Sequence, residues 1–212
     1  MRILVVSPNL YQQHSNFLTQ MHRLRAAVFG TRMEWDVTIT ADEERDPFDE
    51  LQPTYVLAVT SSDAVVGCAR LLPASGPTML EHTFPQLLDG GELPLRMATV
   101  ESSRFCVDTS LAAGREGGQL HRATLTMFAG IIEWAMASGY GQLVTATDLR
   151  FERILKRAGW PMARLGDSAV IGDTVAVAGV LPIDRASFEQ VRPPSYRSSL
   201  TEADGVLLRS AA

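Results

Sequence analysis

The stretch "TVESSRFCVD", Thr99–Asp108, has the length and the mix of β-branched and aromatic residues of a strand, yet it carries Glu101, Ser102, Ser103 and Arg104 where a buried strand carries aliphatics. Strict alternation would put Thr99, Glu101, Ser103 and Phe105 on one face and Val100, Ser102, Arg104 and Cys106 on the other. Glu101 and Arg104 would then point apart. For the two to serve one site the strand needs an extra residue or a splay, and bulges beside active sites re-aim side chains in this way. An irregularity between Glu101 and Arg104 is therefore expected. The competing reading is structural: Glu101 and Arg104 join Asp46, Asp49 and Arg70 in an ion network, because a buried carboxylate needs a partner whatever its role.

Working outward, "TYVLAVT" and "AVVGCARLL" read as two strands joined by Ser61-Ser62-Asp63, a hairpin by length and turn chemistry. On the other side, Gly114, Gly117 and Gly118 precede a helical pattern from about Gln119 to Ser138, which Gly139 would cap. "QLVTAT" follows as a strand, Leu149 to Ala158 as a helix ending before Gly159, and "TVAVAGVL" as another strand. Toward the N-terminus, residues 2–7 form a short strand. Phe17, Met21, Leu24 and Val28 then mark the apolar stripe of a helix, with Arg25 and Phe29 together on one edge. From Gly30 to Gln52 the periodicity is lost and the chain turns acidic, a loop with the character of a lid. The order predicts an α/β (α+β) fold: one domain over residues 1–192, a three-layer mixed sheet with helices on both faces, the N-terminal helix and lid-like loop falling within 1–52. Residues 193–212, rich in Ser, Pro and small side chains, are expected to pack poorly.

Composition narrows the function classes. Hydrophobic residues at 46% and charged residues at 20% are those of an ordinary folded chain, and the net charge of −5 argues against a protein built to neutralise nucleic-acid phosphates. The longest apolar helix candidate is interrupted by Glu133, so no membrane partner is expected and the cytoplasm is the default location. Cys68 and Cys106 are read as reduced, small apolar residues. His14, His22, His82 and His121 lack metal-ligand spacing, so no metal is assigned. Phe29 and Trp35 serve equally as core aromatics, and Arg25 as cover for a helix edge. Arg150, Arg153 and Arg157 fall along one face of a helix, a solvated face or a dock for an acidic partner. No Walker loop, dinucleotide fingerprint, zincin motif or nucleophile elbow is present.

The ordered set Arg25, Phe29, Trp35, then Asp46 and Asp49 in "ERDPFDE", Arg70 in "GCARLLP", Phe84, and Glu101 with Arg104 in "ESSRF" resembles the acyl-homoserine-lactone synthases, the LuxI-type autoinducer synthases of bacteria. The resemblance runs over about residues 1–182. It implies an N-acetyltransferase-like fold whose central strands splay to admit a pantetheine arm. It also implies two substrates, S-adenosylmethionine and an acyl thioester on acyl carrier protein or coenzyme A, with no further cofactor. The products are an N-acyl-homoserine lactone and methylthioadenosine.

Residue types then acquire roles. Glu101 is the candidate general base for the substrate amine. Ser103 and backbone N–H groups freed by the strand irregularity are candidate oxyanion donors. Phe29, Trp35 and Phe84 offer aromatic faces to the sulfonium. Arg25 and Arg104 would orient the substrate carboxylate, while Asp46, Asp49 and Arg70 support them as a charge network. Thr145 resembles the position whose hydroxyl favours a substrate oxygenated at its third carbon, and Ile131, Thr147 and Phe151 are placed along the acyl chain. The Arg150, Arg153 and Arg157 face is assigned to carrier-protein docking. Two alternatives remain: an N-acetyltransferase using acetyl-CoA on another amine, for which "GREGGQL" is a loose pyrophosphate loop, and a non-catalytic ligand-binding protein on the same scaffold.

Overall fold

The computed structural model describes residues 1–33, 35–91, 93, 97–108 and 122–200. The glycine-rich loop and the predicted helix start at Gln119 lie outside them.

The hairpin is the spine of the molecule. β4 (Thr54–Val59) is buried at all six positions and pairs antiparallel with β5 (Val65–Pro73), buried at all but the last. Strands apolar on both faces need cover on both faces. One layer is α1 (Ser15–Arg25), which loosens into wide π-helical turns over Ala26–Arg32 and brings Met21, Val28 and Phe29 onto Tyr55, Leu57 and Cys68. The other is α3 (Arg122–Ala137), whose Met127, Phe128 and Ile131 pack on Val56, Ala58, Ala69 and Leu71. Its closest approach is at Gly130, where a Cβ would stand 2.8 Å from Ile3 Cγ1 of β1 (Arg2–Val6).

The remaining elements complete a mixed sheet. A small hairpin, β2 (Ile39–Thr40) and β3 (Glu43–Glu44), precedes β4. After β5 come the short helix α2 (Met79–Thr83), β6 (Thr99–Val107), β7 (Gln142–Asp148) and α4 (Leu149–Ala158). α4 begins where the Asp148 side chain accepts from Phe151 N–H at 2.6 Å and ends at Gly159, whose φ of +80° suits glycine. β8 (Ala163–Arg164), β9 (Ala169–Ile171), β10 (Thr174–Pro182) and α5 (Arg185–Val191) follow, and the sheet order is β1-β4-β5-β6-β7-β10-β8, with β9 on β10. Only β6 and β7 run parallel within that path.

Two irregularities in β6 define the centre. On its β5 side the register shifts between Cys68↔Cys106 and Arg70↔Ser103, so Arg104 and Phe105 together oppose Ala69, and Arg104 takes a φ of +52°. The expected irregularity exists, but at Arg104 itself rather than before it. Its effect is to turn Arg104 onto the α1 face with Glu101 and Ser103 and to send Phe105 to the α3 face, against Phe128 and Phe151. On its β7 side, β6 pairs only through Thr99↔Gln142, Val100↔Leu143 and Glu101↔Val144. Beyond Glu101 each strand stays with its outer neighbour, β6 with β5 and β7 with β10, and the two diverge.

Two expectations are corrected. The acidic segment 30–52 is not aperiodic: besides β2 and β3 it holds a 3-10 turn, Pro47–Leu51, started by a reciprocal cap. There Asp46 Oδ1 accepts from Phe48 N–H and Asp49 Oδ2 from Asp46 N–H, both at 2.9 Å. Of the segment from Pro193, the described part to Leu200 docks along β1 and α3, with Pro193 and Ser198 buried and Tyr196 and Leu200 packed on the core. Ser198 is fully buried beside Ile3, Ile3 N–H donates to Arg197 O at 2.8 Å, and Val5 N–H donates to Ser199 Oγ at 3.2 Å. Unpaired backbone groups on the β1 edge supply the reason.

Candidate active site

On the α1 face, three guanidiniums and three carboxylates form one buried cluster. Arg25 donates through Nε to Glu44 at 2.5 Å and through both terminal nitrogens to Asp49 at 2.8 Å. Arg70 reaches Asp46 at 2.5 Å, Asp49 at 3.0 Å and Ser103 Oγ at 3.0 Å. Arg104 donates to Glu44 at 3.1 Å, and its Nη2 stands 2.7 Å from Asp46 Oδ2 without hydrogen-bond alignment, a charge contact. Burial alone would raise the Asp49 carboxyl, but the hydrogen bonds and charge of Arg25, with the charge of Arg70, hold it well below the usual range. Tyr55 also donates to Asp49 at 2.7 Å.

This moves Arg25. It has no exposed surface and its donors are committed to Glu44 and Asp49, so it belongs to the charge network rather than to a substrate carboxylate. Sequence reasoning missed Glu44, the link between Arg25 and Arg104. The signal was its spacing: in an extended segment Glu44 and Asp46 share a side, while Glu43 points out to Arg45. His22 was missed likewise. It is buried, with Nδ1 2.9 Å from the Glu44 carbonyl oxygen, which can only accept, so Nδ1 carries the hydrogen.

Glu101 is 2% exposed and sits on the last paired rung of β6 and β7. Its Oε2 accepts from Met79 N–H at 2.8 Å and its Oε1 from Leu80 N–H at 2.6 Å, which ties it to the start of α2. Burial lifts its pKa above the ordinary carboxylate value, against the pull of those two N–H groups and Arg70. The side chain is thus enclosed and its own rung is paired on both sides, while the ladder to β7 stops just beyond it and the ladder to β5 shifts register at Arg104. Ser103 accepts from Arg70, and its hydroxyl hydrogen is not needed for that bond.

The aromatic trio divides. Phe29 and Trp35 stack at 5.2 Å with their planes 10° apart, Trp35 is 40% exposed, and the Arg104 guanidinium lies 5.7 Å from the Phe29 ring centre. Phe84 is elsewhere, packed with Leu80, Leu87, Val144 and Ala178 on the β7 side of the opening. The four acyl-chain candidates lie on the opposite sheet face. Ile131 and Phe151 belong to the α3 core, and Thr145 and Thr147 alternate with Val144 and Ala146. The Thr145 hydroxyl donates to Ser102 O at 2.8 Å, bridging the strands where the ladder stops. Arg150, Arg153 and Arg157 are exposed on α4. Beside them Glu152, Arg153, Lys156, Pro161, Met162 and Arg164 line a groove of about 400 Å³. Among the described residues no cluster of three or more His, Cys, Asp or Glu could hold a metal, and no helix is long and apolar enough to cross a membrane.

A mixed sheet with helices on both faces, whose parallel central strands part beside a buried carboxylate, is the layout of the N-acetyltransferase fold. The autoinducer synthase family model matches residues 9–191, and the chain belongs to that family. It is 65% identical to the acyl-homoserine-lactone synthase of Agrobacterium fabrum over 212 residues, all of both chains. Among solved structures it resembles the synthase LasI, with 31% identity, a TM-score of 0.76 and coverage of 89% of this chain and 93% of the other. The fold is also that of BjaI, described as a CoA-dependent acyl-homoserine lactone synthase with SAM and isopentyl-CoA, at 23% identity, TM-score 0.81 and coverage of 93% of each chain. The protein is accordingly an acyl-homoserine-lactone synthase, an acyltransferase that makes a quorum-sensing autoinducer.

Proposed function

We propose that the protein acylates the amine of S-adenosylmethionine from an acyl thioester and then closes the homoserine lactone with release of methylthioadenosine. One observation carries this reading: the strands part directly after Glu101, with the acid on one sheet face and the acyl-chain residues on the other. The wedge is the passage between them. The sulfonium lies against the Phe29 and Trp35 stack, whose faces attract a fixed cation. The carboxylate goes to Arg104, the one guanidinium of the cluster with exposed side-chain surface. The amine faces Glu101, which takes its proton directly or through one water; the raised proton affinity of Glu101 makes it a stronger base. The freed amine attacks the thioester carbonyl, backbone N–H groups of the parted strands steady the oxyanion, and the thiol leaves. A carboxylate oxygen then attacks the γ-carbon, the carbon–sulfur bond breaks, and methylthioadenosine departs. That closure is intramolecular, so positioning by Arg104 accounts for much of its rate.

The reaction as written needs no resident cofactor, and its substrates are metabolites of the cytoplasm, where we place it. We assign the donor to acyl carrier protein, an acidic partner suited to the exposed Arg150, Arg153 and Arg157 face; BjaI, described as CoA-dependent, makes acyl-CoA the alternative. The test is incubation with S-adenosylmethionine and a panel of acyl carrier protein and CoA thioesters, following methylthioadenosine and lactone by chromatography. Both products should appear together, and Glu101→Gln should lower kcat by about 10²–10⁴-fold. Thiol release without methylthioadenosine would mean an ordinary N-acetyltransferase. Unchanged turnover in Glu101→Gln would leave Glu101 a purely structural anchor of α2.

A further inference from the structure

The three clustered guanidiniums differ in reach. Arg25 and Arg70 have no exposed side-chain surface, whereas 10% of the Arg104 side chain is exposed. Met79 stands against it. Its Sδ lies 3.4 Å from Arg104 Nη1 and 3.6 Å from Arg70 Nη2, while its own N–H donates to Glu101 at 2.8 Å. The main chain here is held firmly, since Leu80 N–H also reaches Glu101 and Thr78 Oγ1 accepts from Glu81 N–H at 3.2 Å. The side chain is not. A thioether on three rotatable bonds turns easily, and its sulfur is a weak acceptor. It keeps two buried guanidinium edges from being left without a partner, but holds them loosely. A carboxylate meeting the same N–H groups would form charge-assisted bonds roughly twice as strong as neutral ones.

We propose that Met79 is a placeholder: in the empty site its sulfur occupies the acceptor position that the carboxylate of S-adenosylmethionine takes over, and the side chain swings aside as the substrate arrives. The inference rests on the reading that puts that carboxylate at Arg104. It makes Met79 a positioning residue that sets the affinity for the amino-acid part of the substrate and leaves the adenosine part untouched. The backbone N–H on Glu101 is independent of which side chain stands at position 79.

Calorimetric titration of S-adenosylmethionine and of methylthioadenosine, which lacks the amino acid, into the wild type, Met79→Leu and Met79→Gln tests it. Leucine fills similar volume and accepts nothing, so the empty site loses its sulfur acceptor and S-adenosylmethionine should bind about three- to fivefold tighter. Glutamine offers an oxygen, a stronger acceptor, and should weaken S-adenosylmethionine by about tenfold. Methylthioadenosine affinity should stay the same in both. Opposite shifts confined to one ligand are the signature of displacement, because a packing role would weaken both ligands in both variants. Unchanged or weaker S-adenosylmethionine binding by Met79→Leu, or parallel shifts of the two ligands, overturns the placeholder. A wild type that binds neither compound overturns the functional reading and the placeholder with it.

Discussion

Replacing Glu44 by leucine tests the charge cluster most directly. Glu44 is fully buried and bridges Arg25 at 2.5 Å to Arg104 at 3.1 Å, within a set where Arg25, Arg70 and Arg104 balance Glu44, Asp46 and Asp49. Its loss leaves one buried positive charge without a counterion. Removing one partner of a buried pair typically costs about 3–5 kcal/mol. Arg25 keeps its two-point bond to Asp49 and Arg104 keeps Asp46, which places the expected loss near the lower end, about 3 kcal/mol. For a domain of this size each kcal/mol lowers Tm by about 2–4 °C, so a fall of about 6–12 °C is expected in thermal unfolding followed by circular dichroism. The double variant Glu44→Leu/Arg104→Met should regain much of that, because it removes both charges and keeps apolar volume. A fall of less than about 2 °C, or strictly additive losses in the double variant, would show that the cluster does not behave as one balanced unit.

Stability should also depend on His22. Burial and the Arg25 charge lower its pKa from 6.5, so the folded protein prefers the neutral ring. This contribution is fully present above pH 6.5 and is lost as pH falls below it, at a slope of up to about 1.4 kcal/mol per pH unit; the His22→Gln variant should lose that segment of the stability curve. Thr145→Val removes the donor to Ser102 O at the head of the wedge and should destabilise by about 1–3 kcal/mol in urea titration, while Thr145→Ser should sit close to wild type. Charge reversal of Arg150, Arg153 and Arg157 to Glu should raise KM for acyl carrier protein and spare that for S-adenosylmethionine; equal damage to both would remove the docking assignment.

The features legible in the sequence were those set by local pattern. The hairpin of "TYVLAVT" and "AVVGCARLL", the Leu149 to Ala158 helix with its stop at Gly159, and the need for a kink in "TVESSRFCVD" all follow from periodicity and turn chemistry. The site was less legible because buried ion pairs are set by tertiary approach. Arg25, four residues before Phe29, and Arg104, next to Phe105, look alike in the sequence, and only their depth separates a network member from a substrate contact. Glu44 was hidden among five other acidic residues of "ADEERDPFDE". Phe84 was grouped with Phe29 and Trp35 by residue type, yet the opening between β6 and β7 lies between them. The docked segment 193–200 has the composition of a loop, and its burial is imposed by the bare edge of β1.

That last contact links two segments of the chain 194 positions apart. Until Arg197 and Ser199 dock, Ile3 and Val5 show open amide groups on the edge of the sheet, and that docking is what seals it. A shortened chain ending near Arg192 would keep every residue proposed for chemistry and still tend to join its neighbours edge to edge.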